Sequence, residues 1–135
     1  MTLTDNKSSI QEWHTTAKEW QTTLALYEHE LRFIGKLLKS HVFEPQTPNL
    51  FERIDHFKQQ LIPIEKDLNK LQEEVVQHDN ELGGSIECNN GGSDDYFMNR
   101  QVELVKKVNQ FSLQFNEIKY EVYQYCGDIL KSHKK

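Results

Sequence analysis

Hydrophobic positions recur along this chain in alternating steps of three and four. The first series runs Ile10, Trp13, Ala17, Trp20, Leu24, Tyr27, Leu31, Ile34 and Leu38. Steps of this kind keep one stripe of side chains on a single face of an α-helix. A second series follows the same rule through Leu50, Ile54, Phe57, Leu61, Ile64, Leu68, Leu71, Val75 and Leu82, with His78 in the one core position that is not apolar. The third comprises Phe97, Gln101, Leu104, Val108, Phe111, Phe115, Ile118, Val122, Tyr125 and Ile129. No two-residue alternation of the strand type competes anywhere. The spacing predicts helices over approximately 9–42, 48–82 and 94–132.

Terminal signals set these bounds. Ser9 followed by Glu12 forms a capping box, Thr47 with Pro48 or Asn49 with Glu52 opens the second helix, and Ser93, Asp94 and Asp95 open the third. Gly83 and Gly84 are read as the stop of the second helix. A short turn around Phe43, Glu44, Pro45 and Gln46 leaves room only for an antiparallel return, and the Gly- and Asn-rich stretch 83–93 is expected to be a mobile loop. Pro63 falls inside the second series at an outward position. There it removes the hydrogen bond to the Gln59 carbonyl, and since the apolar register continues past it, a kink is expected and not a break.

The apolar faces are wider than a simple two-stranded seam needs. Leu26, Phe33 and Leu37 widen the first helix, and Met98, Val102 and Val105 widen the third. Each helix must therefore touch two others. The expected fold is one all-α domain spanning residues 1–135, an antiparallel three-helix bundle running up-down-up. It is similar to spectrin-like repeats in architecture only, an architecture shared with many unrelated bundles, and fold alone assigns no function. The same surplus would suit a dimer in which two chains share a larger bundle.

Composition narrows the classes of partner. The net charge of -5 and the scattering of Lys and Arg among acidic residues argue against a nucleic-acid partner. The basic cluster Lys131, His133, Lys134 and Lys135 complements the negative end of a helix dipole. No apolar run approaches the ~20 residues of a membrane span, and Met1 to Ser9 lack a signal-type apolar stretch, so a cytoplasmic protein with no membrane partner is expected. Cys88 in the expected loop and Cys126 near the C-terminus fall at opposite ends of such a bundle. They are expected to be reduced thiols.

Catalytic spacings are missing. No Glu-x-x-His, Cys-x-x-Cys, Gly-x-Ser-x-Gly, His-Glu-x-x-His or phosphate-cradling Gly-rich loop occurs, and the stretch from His14 to Lys18 sets its lysine one residue late for a phosphotransfer element. No cofactor and no enzymatic activity are expected. Antiparallel pairing puts His14 level with His78, and Glu74 lies one turn from His78. His78, Glu74, His14 and Glu103 are the candidates for a metal site, which makes a metal-binding bundle the alternative function. The main expectation assigns no metal and reads His78 with Gln101 as a buried polar layer that fixes helix register.

Surface recognition is what remains. Leu113 and Tyr120 lie seven apart on the outer face of the third helix, and Leu26 with Phe33 repeats that spacing on the first. Leu26, Phe33, Leu37, Leu113 and Tyr120 are the candidate partner-binding residues. The expected function is that of a non-enzymatic helical interaction, scaffold or small partner protein, whose partner is another protein or a second copy of the chain.

Overall fold

A computed structural model describes residues 3–40, 48–88 and 94–133. Nearly all of them belong to three α-helices: α1 (Leu3–Leu38), α2 (Pro48–Cys88) and α3 (Asp94–His133). No strand occurs among the described residues. The fold is the all-α antiparallel three-helix bundle that the heptad spacing predicts.

Among the described residues, every buried position except Asp79 and Cys126 is a heptad position. Leu24 and Ile34 of α1, Phe57 and Val75 of α2, and Leu104 and Phe115 of α3 are all fully buried. Each such side chain contributes about 1.5–3 kcal/mol by leaving water. Near the end of α3 the core steps over by one position, because Cys126 is buried while Tyr125 and Ile129 are only half-buried. Trp13 and Trp20 are likewise half-buried.

The helix ends differ from the sequence expectation. α1 starts at Leu3, ahead of the Ser9 capping box, because neither Gly nor Pro interrupts the polar stretch before Ile10 and extending a formed helix costs little. It ends at Leu38, short of residue 42, where the N–H of Lys39 donates to the Lys36 carbonyl at 3.2 Å and that of Ser40 to the Leu37 carbonyl at 3.1 Å. That shorter reach tightens the last turn. The turn at 43–46 and the cap at Thr47 lie outside the described residues, and Pro48 opens α2.

The larger correction concerns Gly83 and Gly84, which do not stop α2. The helix passes through both and ends at Cys88, so residues 83–88 of the expected loop are helical, Cys88 included, and residues 89–93 lie outside the described part. A glycine inside a helix costs up to about 1 kcal/mol relative to alanine, which the packing of buried Leu82 offsets. Gly83 also lies against α1: a methyl group there would meet His14 Cε1 at 3.5 Å. Pro63 is accommodated as an exposed residue inside a continuous α2.

The chain divides into two compact units, each taking a segment of all three helices. The first joins Met1–Leu26 to Asn69–Gln110. Here Glu74, His78 and Glu81 of α2 meet Lys107, Gln101 and Tyr96 of α3, an order that runs backwards and so marks an antiparallel pair. The second joins Tyr27–Leu68 to Phe111–Lys135. In it Tyr27, Glu30 and Phe33 of α1 meet Ser112, Lys119 and Tyr123 of α3 in the same order, so these two helices run parallel, as an up-down-up path requires.

Aromatic rings fill the second unit. The Tyr27 ring lies 5.1 Å from Phe115 and 5.7 Å from Phe111, and those two phenylalanines stack at 5.9 Å. Phe57 meets Tyr125 edge-on at 5.7 Å, with the Arg53 guanidinium 5.0 Å above the Phe57 ring. The Tyr27 hydroxyl donates to Ser112 Oγ at 2.9 Å, so the ring packs inside while its polar tip is satisfied.

Candidate functional site

The interior of the first unit is polar where its three helices meet. His78 of α2 is fully buried, and its Nε2 lies 2.8 Å from Oε1 of Gln101 on α3. Since that oxygen only accepts, Nε2 carries the proton and donates. The two residues that the sequence places in core positions thus form a buried polar pair. Beside it stands a residue the sequence did not single out: Asp79, only 3% exposed. One carboxylate oxygen is 2.7 Å from His14 Nδ1 and the other 2.7 Å from Lys18 Nζ, both on α1. Burial pushes the Asp79 carboxyl up. Hydrogen bonds from Lys18 and Gln21 and the charge of His14 more than reverse this, leaving it below the ordinary aspartate value.

The four metal candidates do not converge: the two histidines have separate partners, and the two glutamates share Lys107 and Arg100. His78 bonds Gln101, and His14 faces Asp79. Glu74 accepts from Lys107 at 2.8 Å with Arg100 at 3.9 Å, while Glu103 pairs with Arg100 and Lys107, each at 3.2 Å. The Lys107 amine and the Glu103 carboxylate hold their charges more firmly as a result, the first through Glu74 and the second through Lys107. Among the described residues no three His, Cys, Asp or Glu side chains are grouped as a metal ion would need. The level of His14 with His78 agrees with the sequence argument; the carboxylate that receives His14 is Asp79, which stands one position off the core series.

Four of the five surface candidates, Phe33, Leu37, Leu113 and Tyr120, fall in the second unit. Leu113 and Tyr120 on α3 are 74% and 66% exposed. Phe33 of α1, 56% exposed, sets its ring edge-on to Tyr123 at 6.4 Å. Leu37 is half-buried, whereas Leu26, 57% exposed, belongs to the first unit. The expected α1 surface is thus divided, and in the second unit Phe33 leans on α3. There Leu113, Asn116, Tyr120, Tyr123, Gly127 and Leu130 follow one another in steps of three and four without a single charge. Five of the six are exposed, Tyr123 and Leu130 to only 39% and 41%, and Gly127 is half-buried.

This stripe has heptad spacing, like the core series on the opposite side of the same helix. Asn116 and Gly127 interrupt its apolar pattern in the sequence. Over Gly127 the surface forms a hollow whose rim includes Tyr120, Tyr123 and Gln124. A methyl at Gly127 would meet nothing within 4 Å. Glu30 and Lys119 close the seam between α1 and α3 at 2.7 Å, so that margin of the stripe is charge-neutral.

Compared with protein-family models, with curated proteins and with solved structures, this chain matches none.

Proposed function

We propose that this chain is a non-enzymatic helical interaction module, a scaffold or small partner protein that docks through the outer face of α3 in its second unit. The observation that supports this most is the uncharged, exposed heptad stripe from Leu113 to Leu130 in a protein whose residues are 27% charged. Helix faces bathed in water normally carry charge, and an apolar or aromatic row left bare at heptad spacing is suited to receive another helix. The polar groups of the first unit have partners within the fold: His78 pairs with Gln101, and Asp79 with His14 and Lys18. The cytoplasm belongs to the same proposal as its setting, in keeping with the unpaired thiol of Cys126. No described helix is long and apolar enough to cross a membrane.

The test is affinity capture from native extract with the whole chain as bait, alongside a Leu113→Glu, Tyr120→Glu variant. Both sites are exposed, so the variant should keep the parent's helicity by circular dichroism. At least one protein should be retained by the parent and lost from the variant. Identical captured sets, together with monodisperse monomers of both forms in light scattering, would remove the reading.

A further inference from the structure

The margin of the α3 stripe away from α1 points to the kind of partner. Glu117, Glu121 and Asp128 lie there at spacings of four and seven, all exposed. None forms an ion pair with another described residue. Three stripe residues and Gln124 beside them, in the order Tyr120, Tyr123, Gln124 and Gly127, stand at i, i+3, i+4 and i+7, the four corners that surround one inserted side chain in helix-helix packing. Three corners carry long side chains and the fourth is glycine, which accounts for the hollow. A hole of this form next to an unneutralised acidic row complements an amphipathic helix with an apolar knob and a basic flank.

We infer that this face binds a cationic amphipathic helix of a different protein, seating an apolar side chain over Gly127 and basic side chains against Glu117, Glu121 and Asp128. The inference rests on the interaction reading above and adds the identity of the occupant. A second copy of the chain fits less well. Antiparallel self-pairing through this segment sets the acidic row of one copy against that of the other, and parallel self-pairing sets it against the already neutral Glu30–Lys119 pair.

The experiment uses the full chain and two synthetic helical peptides, identical heptads with leucine on the apolar face, one flanked by lysine and arginine and the other by glutamate. Binding is followed by fluorescence anisotropy. The basic peptide should bind and the acidic one should not. Gly127→Leu fills the hole from a position whose added Cβ meets nothing within 4 Å, and should abolish binding while leaving helicity unchanged. Replacing Glu117, Glu121 and Asp128 by lysine should weaken the basic peptide by about ten-fold, as three exposed ion pairs allow, and admit the acidic one. Failure of the basic peptide to bind, or indifference of its binding to Gly127→Leu, overturns the inference. Equal binding of both peptides, lost together in the Leu113→Glu, Tyr120→Glu variant, overturns the charge assignment but leaves the interaction reading standing. A dimer in sedimentation that Tyr120→Glu dissolves overturns the inference in favour of self-association.

Discussion

The two units are built from the same three helices and solve their interiors differently. In the first, the centre holds His78, Gln101 and Asp79, with His14 and Lys18 reaching in from α1. In the second, the centre is Phe57, Phe111 and Phe115 with the body of Tyr27. Rings attract any apolar surface and carry little information about register. Buried hydrogen-bonding groups strongly disfavour every alignment but one, since a misplaced one goes unpaired. The difference teaches that a bundle can add to the same kind of aliphatic core either rings, which contribute cohesion, or hydrogen-bonded groups, which penalise misalignment.

The comparison breaks most sharply at Phe115. Replacing it by alanine leaves a cavity in the aromatic cluster and should cost about 3–5 kcal/mol in urea unfolding. A loss below about 1 kcal/mol would show that the rings are not the main source of cohesion. In the polar unit, Asp79→Asn removes the charge that pairs with Lys18 and should cost about 1–2 kcal/mol at neutral pH, discounted because Lys18 is largely in water. The acid limb carries the sign. The folded carboxyl titrates below the 3.8 of a free aspartate, so the unfolded chain binds its proton first as pH falls. The contribution is complete above that range and is lost as pH drops through the folded value. The asparagine variant should lack this loss, and superimposable acid limbs would discharge Asp79 from the role.

The smallest effect sharpens the contrast. With His78 and Gln101 both replaced by leucine, stability should stay within about 1.5 kcal/mol of the parent, while amide NMR signals of the first unit multiply as the helices lose a fixed register. A single well-dispersed set of signals would mean that the polar layer is not what holds alignment.

Much of the fold was legible because heptad spacing is redundant: nine apolar positions agree on each stripe even if one or two mislead. Trp13, Trp20 and Tyr125 misled by only one shade of burial. End signals have no such redundancy. Gly83 was read as a terminator from its own preferences, whereas in the fold it lies where His14 packs close. The site was legible in part for the same reason. His78 and Gln101 announced themselves as polar residues in core slots, but Asp79 stands one position off the series and is buried only because α1 covers it. Leu113 and Tyr120 could be seen as exposed; that Asn116, Tyr123 and Gly127 complete their row depended on knowing which side of α3 the bundle leaves bare.

The step of the α3 core from Tyr125 to Cys126 gives the second unit a built-in chemical clock. That thiol is 2% exposed, and burial pushes its pKa up to about 11, so in the closed protein it is neither reachable nor ionised. In a chain with Cys88 replaced by serine, every molecule that takes up a thiol reagent at Cys126 has opened there, and the labelling rate counts those openings one unit at a time.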